Sequence, residues 1–384
     1  MKKEINRKKI GFFLISLYGG GGEKVVLDLA KGFVEDGFDV DLLLFTRKGS
    51  SVEKIDSRIN LIDLKVSRIF FSIFPIIKYL KKKKPLFILG TSEHANIILI
   101  LAKIVSRTKM KVFVRVGMTF SDLFKNYKSK RDRLIPFLIK LLYLKADVVI
   151  ANSKNVAIDL EKVSKIPKNK IKVIYNPKFI EEIVERSKVG EWQYPDKFTI
   201  LALGRLEKQK DFKTLVNAFS LVKKEIDVRL IILGEGGEKC NLEKQIKDLD
   251  LKDVYLSGYL SDEYSYFAMK NSDIFISTSL WEGFSNSLIE AGILGLPIIA
   301  TDCGSGSREL LAPNSDLENQ LEKGNIEYAE NGILVAKQDS EKIAEAILVL
   351  VKDENMRKRY SERIKKQGEK FEMKNILGEF KKLI

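Results

Sequence analysis

Histidine is all but missing. The 384 residues hold one, His94, which excludes a metal centre built from histidines. Cysteine is nearly as scarce: Cys240 and Cys303 form neither a disulfide framework nor a metal-ligand spacing, a usage that fits reducing, intracellular conditions. No apolar run is long. Ile69–Leu80, Ile97–Val105 and Leu134–Leu144 each contain or adjoin lysine or arginine, and each falls short of the ~20 apolar residues a spanning helix needs. A secretory leader is not expected, because Lys2–Lys9 leads straight into a short strand-like run and a glycine turn. The run Gly19–Val25 lacks the Gly-Lys-Ser/Thr ending of a phosphate loop, which argues against an ATPase.

What is present is an ordinary globular composition, 45% hydrophobic and 31% charged, in a chain too long for one core. Two domains are therefore expected. The charge is divided unevenly. Residues 1–178 carry 37 Lys and Arg against 16 Asp and Glu, whereas residues 179–384 carry 30 against 36. A basic half (+21) joined to a mildly acidic half implies different partners for the two.

Buried-type strands alternate with helices along both halves. In the first, strand Ile10–Leu17 leads through Gly19–Gly22 into a helix from Glu23 to about Glu35, and strand Val40–Phe45 follows Gly37. Further strands are predicted at Leu86–Leu89, Lys111–Val116, Val148–Ala151 and Lys172–Tyr175. The second half restarts the rhythm, with strands at Phe198–Leu203, Arg229–Leu233, Val254–Ser257, Ile274–Ser277 and Pro297–Thr301. This alternation implies an α/β fold with two doubly wound parallel sheets, each Rossmann-like, facing a cleft. The joint is placed in the charged, proline-bounded segment from Asn176-Pro177 to Pro195. The domains are predicted as 1–178 with a C-terminal helix of about 368–384, and 190–367.

The stretch "SLWEGFSNSLIEAGILGLPIIATD" (Ser279–Asp302) sets two carboxylates, Glu282 and Glu290, around the start of a helix. Ser285, Asn286 and Ser287 are favoured capping residues, and Gly283 lets a ligand approach the backbone. A phosphate on the free N–H groups near Phe284–Leu288 would bring a nucleotide's ribose towards Glu290, whose carboxylate suits a diol. Glu282 would repel that phosphate and is better matched to sugar hydroxyls. The spacing fits equally a capping acid followed by a solvated helix acid. Gly204-Arg205, with Lys210 five residues on, follows the first strand of the second half. Two cations there could clamp a diphosphate and remove the need for a divalent metal. Taken alone, they also read as solvated surface charge.

Together these residues resemble a family. Glu282 to Glu290 is similar to the E-x7-E element of the retaining GT-B glycosyltransferases of family 4 (group 1), and "GRLEKQKDF" (Gly204–Phe212) to the Gly-Arg…Lys stretch before it. "LGEGGE" (Leu233–Glu238), "LSGYLSDE" (Leu256–Glu263) and "NGILV" (Asn331–Val335) follow the family's order, and "GGGGEKVVLDLAKGF" (Gly19–Phe33) resembles its N-terminal glycine loop. The resemblance implies a donor site of Gly20, Gly21, Gly204, Arg205, Lys210, Gly258, Tyr259, Glu282, Gly283, Phe284, Ser285, Asn286, Ser287, Leu288 and Glu290. In it Arg205 and Lys210 hold the donor diphosphate and Glu290 the ribose, while Glu282, with the backbone of Phe284 and Ser285, faces the sugar. It further implies that Phe371–Leu383 crosses back to the first domain. "YNP" (Tyr175–Pro177) resembles members that build bacterial surface polysaccharides on lipid carriers. The chain departs from the family at Arg115–Thr119, where many members carry a histidine facing the sugar. His94 lies after an earlier strand and fits a capping or packing role as well as a place in the cleft. Asp39-Val40-Asp41, which resembles the metal-binding Asp-x-Asp of a different glycosyltransferase fold, opens a strand at the wrong end of the sheet and reads as structural.

The expectation is a hexosyltransferase that uses a nucleotide sugar, UDP-linked, as substrate, with no metal and no further cofactor. Its acceptor is expected to be a saccharide or lipid-linked saccharide. Two basic stretches, Arg68–Pro85 with Lys81–Lys84 and Phe124–Lys145, set aromatic and aliphatic residues among lysines. They point to peripheral contact with an anionic membrane at its cytoplasmic face rather than to nucleic acid. Each alone also fits a core-facing stripe with a basic, solvated back. The alternatives are a soluble sugar or sugar-phosphate transferase of the same fold, and a non-catalytic membrane- or nucleic-acid-binding protein.

Overall fold

The computed structural model describes residues 8–47, 49, 52, 55–125, 134–191, 194 and 196–384. The stretch 1–7, read for a leader, and 126–133 of the second basic stretch lie outside the described residues. The chain forms two compact units: unit 1 is Met1–Pro177 with Met373–Ile384, and unit 2 is Lys178–Glu372. Among the described residues each carries a seven-stranded sheet.

In unit 1 the strands are β1 (Lys9–Leu14), β2 (Asp39–Leu44), β3 (Asn60–Asp63), β4 (Phe87–Gly90), β5 (Lys111–Val116), β6 (Val148–Ala151) and β7 (Ile171–Val173). Their order is β3-β2-β1-β4-β5-β6-β7, with every pair parallel. β1, β2 and β5 are apolar and buried along almost their whole length, as strands covered by helices on both faces must be. Asp41 is the exception inside β2. Its carboxylate is fully buried, accepting from Tyr79 Oη at 2.9 Å and Asn60 Nδ2 at 2.7 Å, so the Asp-x-Asp run is a structural node. The last helix, Met373–Lys381, belongs to this unit. Phe380 packs with Phe33 and Phe87, and Met373 lies so close to Gly32 that a Cβ there would meet its sulfur at 2.5 Å.

Unit 2 contains β8 (Thr199–Leu203), β9 (Arg229–Leu233), β10 (Val254–Leu256), β11 (Ile274–Ser277), β12 (Ile298–Thr301), β13 (Ile326–Tyr328) and β14 (Ile333–Val335), ordered β10-β9-β8-β11-β12-β14-β13. All pairs are parallel except β13 with β14, which corrects the wholly parallel sheet expected from the helix–strand alternation. The hairpin at Ala329–Gly332, closed by Ala329 N–H to Gly332 O at 2.9 Å, turns the chain back without a crossover helix.

Packing also moves the expected domain boundaries. Lys178 falls in unit 2, where its amide donates to Phe371 O at 2.7 Å and it forms a parallel bridge with Glu372. The return to unit 1 comes at Met373 rather than near 368, because Gly368 lies against Ile293 and Phe371 against Phe284 within unit 2. The supposed joint holds a helix, Ile180–Arg186, packed against helices Asp262–Lys270 and Asn286–Ile293.

Candidate active site

An open parallel sheet binds ligands beyond the carboxyl ends of its strands where the strand order reverses. In unit 2 that reversal lies between β8 and β11. The loop after β8 carries Gly204, Arg205 and Lys210, and the loop after β11 runs through Glu282 into helix Asn286–Ile293. Hydrogen bonds join the two loops. Leu280 N–H donates to Gln209 O at 2.8 Å, Gln209 Nε2 to Trp281 O at 2.8 Å, and Thr278 Oγ1 to Lys210 O at 2.8 Å. This zipper sets Lys210 Nζ directly on Glu282 Oε1. The two residues assigned from sequence to diphosphate and sugar are therefore an ion pair, a contact the sequence reading did not foresee. The lysine offsets the acid's charge, so an anionic ligand meets less repulsion from Glu282 than from a lone carboxylate.

Arg205 is exposed, and among the described residues no carboxylate lies within ion-pair distance of it. Its loop is braced from behind. Gly234 (φ +149°) packs so tightly that a Cβ would lie 1.9 Å from Gly204 O. Leu206 N–H donates to Glu235 O at 2.9 Å, and Glu238 N–H to Leu206 O at 2.8 Å. "LGEGGE" thus acts as the support that fixes the Gly204-Arg205 turn.

Ser285 holds the N-cap position of helix Asn286–Ile293, but its side chain makes no capping bond. Its Oγ pairs instead with Ser287 Oγ at 2.9 Å, which corrects the capping role read from sequence. Phe284 is buried, edge-on to Phe371 at 5.2 Å and against Gly306, whose amide donates to Gly283 O at 2.9 Å. Leu288 is buried in the same helix. Glu290, at the start of the second turn, is buried, and its Oε1 accepts from Lys178 Nζ at 2.6 Å. Gly258 (φ +74°) follows β10 and accepts from Gly234 N–H at 2.8 Å, with Tyr259 beside it 65% exposed. Nearby Cys303 is inert: burial, with a smaller push from the charge of Glu282, raises its thiol to about 11.

In unit 1 the strand order reverses between β1 and β4, where the glycine run and Thr91–His94 lie. There Glu23 already accepts the amides of Gly19 (2.8 Å) and Gly20 (3.0 Å), which leaves Gly20 without its N–H for a ligand. His94 is exposed on the first turn of helix Glu93–Ser106, whose cap is Ser92, so it neither caps nor packs. Arg115 is buried in β5, donating to Thr91 Oγ1 at 3.1 Å and to Asn176 Oδ1. Desolvation lowers its guanidinium to about 10, still charged at neutral pH.

The family model Glycosyltransferase Family 4 matches residues 19–177, and the family model Glycosyl transferases group 1 matches residues 184–367. An N-acetylgalactosamine-N,N'-diacetylbacillosaminyl-diphospho-undecaprenol 4-alpha-N-acetylgalactosaminyltransferase of Campylobacter jejuni is 31% identical over 385 residues, 96% of this chain and 97% of that protein. The chain belongs to glycosyltransferase family 4, group 1. A glycosyltransferase of Methanocaldococcus jannaschii is 30% identical over 342 residues, covering 81% of this family 4 enzyme and 82% of its relative. HepE of Anabaena, solved in complex with UDP, shares 20% identity at a TM-score of 0.75 over 97% of this chain and 98% of its own. The enzyme has the two-domain GT-B fold.

Proposed function

We propose that the enzyme transfers a sugar from a UDP-linked donor to a lipid-linked saccharide, with retention of configuration at the anomeric carbon, during cell-surface polysaccharide assembly. The observation that carries this reading is the meeting of Arg205, the Lys210–Glu282 pair and the N-terminus of helix Asn286–Ile293 at the strand reversal of unit 2. The named substrate of the Campylobacter relative, a saccharide on diphospho-undecaprenol, supports the acceptor class, and the UDP held by HepE supports the nucleotide. In this mechanism the bond between the anomeric carbon and the diphosphate oxygen breaks while the acceptor hydroxyl bonds to the same face of that carbon. The departing phosphate oxygen takes the hydroxyl proton. Arg205, Lys210 and the helix N-terminus neutralise the leaving UDP, a role a metal would otherwise fill. Gly204, Gly258 and Tyr259 line the donor, Glu282 faces the sugar, and Glu290 accepts from the ribose.

A lipid-linked acceptor fits an enzyme that works at the cytoplasmic face of a membrane. No helix among the described residues is long and apolar enough to cross one. Unit 1 instead exposes large apolar side chains beside lysines. Helix Ile73–Lys83 buries Ile76, Tyr79 and Leu80, yet leaves Phe74 64% exposed next to Lys78 and Lys81. Phe70 and Phe71 precede it, also exposed, and Phe137 and Leu141 are exposed on helix Ile135–Leu142. The stripe that packs the core is thus distinct from the phenylalanines turned outwards, as an interfacial helix requires.

The test uses purified enzyme with a panel of UDP- and GDP-sugars and a lipid-linked saccharide acceptor, scored for glycosylated lipid and its anomeric configuration. A UDP-sugar should be consumed in the presence of chelator, with net retention. An inverted product, or loss of turnover in chelator, overturns the mechanism. Sedimentation with vesicles tests the membrane reading: anionic vesicles should retain the protein at low salt, and Lys81–Lys84 changed to glutamine should weaken retention without changing UDP affinity. Wild-type protein left in the supernatant would favour a soluble acceptor.

A further inference from the structure

Burying a lysine beside a glutamate is a costly way to fill space. An apolar pair of similar volume is often as stable or more so, so such a pair calls for an explanation beyond stability. In unit 2 the side chains of Lys178 and Glu290 are 2% and 7% exposed, with Nζ 2.6 Å from Oε1. Lys178 is held from both ends. Its amide donates to Phe371 O at 2.7 Å and its backbone bridges to Glu372, while Phe371 lies edge-on to Phe284 in the loop that leads into the helix of Glu290. Neither end of the lysine is free to wander, so its ammonium is a fixed point from which the Glu290 carboxylate is aimed.

We propose that Lys178 is a positioning residue for nucleotide recognition: it keeps the buried Glu290 carboxylate charged and oriented towards the ribose hydroxyls, and thereby sets the enzyme's preference for ribonucleotide over deoxyribonucleotide donors. This rests on the reading of Glu290 as the ribose acceptor. Three physical points support it. Without a cation beside it, a carboxylate this deeply buried favours its neutral form, which accepts hydrogen bonds weakly. An ion-pair contact to a fixed ammonium limits rotation of the carboxylate about its last torsion, which is otherwise broad. Lys178 makes its contact through the side chain alone, so its replacement leaves the backbone bonds to Phe371 and Glu372 intact.

The experiment compares UDP with 2′-deoxy-UDP by calorimetry on wild type, Lys178→Met, Lys178→Gln, Glu290→Gln and the double variant Lys178→Met/Glu290→Gln, with folding checked by thermal melts. Wild type should prefer UDP by about tenfold or more, the worth of a hydrogen bond to a charged group. Lys178→Met should shrink that preference to nearly that of Glu290→Gln, and the double variant should lose little more. Lys178→Gln keeps a donor, uncharged and one atom shorter, and serves if the methionine variant does not fold; its preference should also fall. A wild-type preference that survives in the folded Lys178 variants but disappears in Glu290→Gln overturns the role of Lys178 alone. No wild-type preference, or one untouched by Glu290→Gln, overturns the ribose reading itself.

Discussion

At the scale of single residues, two ion pairs in unit 2 involve three side chains that the motif singles out: Lys210 with Glu282, and Glu290 with a partner outside the motif. Glu290→Gln should weaken UDP binding by about 1–3 kcal/mol, since an amide is a poorer acceptor for two hydroxyls; calorimetry measures this directly, and unchanged affinity would remove Glu290 from the ribose. Arg205→Ala should lower turnover with little change in melting temperature, because the side chain is exposed and, among the described residues, has no carboxylate within ion-pair distance. Lys210→Ala should lower turnover and also leave Glu282 without its cation, so its loss should be the larger in assays of kcat. The acids and cations of the candidate site could be picked out of the sequence because charge type and spacing carry the chemistry proposed for them. The pairing between them was not, because Lys178 lies 112 positions from Glu290 and only the fold brings them together. The signal that could have exposed Lys178 was its place directly after the "YNP" element, where the chain passes from one unit to the next.

Among elements, strands with continuous apolar runs were the easiest to predict. β1, β5, β8 and β9 fall close to their expected spans, for burial on both faces leaves little choice of residue. β3 and the hairpin β13–β14 were missed, being three or four residues long with little periodicity to read. The loops beyond the strands depend on finer requirements. A Cβ at Gly234 would collide with Gly204 O at 1.9 Å, so Gly234→Ala should shift the Arg205 turn, lower the melting temperature and weaken UDP binding together. The strain should be at least about 1–3 kcal/mol. A second element-level feature is the cluster of Lys197 and Lys223 with Asp227 and Asp253, which joins the start of β8 to the loops flanking β9. Hydrogen bonds from the lysines lower Asp227 from 3.8 to about 2 and lower Asp253 as well. Folded-state values below the unfolded ones mean this contribution is present above pH 3.8 and is lost as pH falls towards about 2. Lys197→Met should therefore lower stability slightly at pH 7, as befits a partly solvated network, and by still less as pH falls towards about 2, a difference read from thermal melts followed by circular dichroism.

For the whole molecule, composition announced two domains and charge divided them, but the dividing line had to come from packing. A proline-bounded, charged segment looked like a linker, yet Lys178 and the helix Ile180–Arg186 are built into unit 2. The uneven charge has its own test at this scale: association with anionic vesicles should fall steeply with added salt, since the screening length shrinks to ~3 Å at 1 M, while catalysis on a water-soluble acceptor analogue should not. The bridge between Lys178 and Glu372 brings the entrance and exit of unit 2 side by side. In genetic terms residues 178–372 are a cassette inserted into the reading frame of unit 1, with both splice points a single residue from that bridge. Exchanging it for a relative's would join the chains at two neighbouring points, with Lys178 and Glu290 travelling together on the same insert.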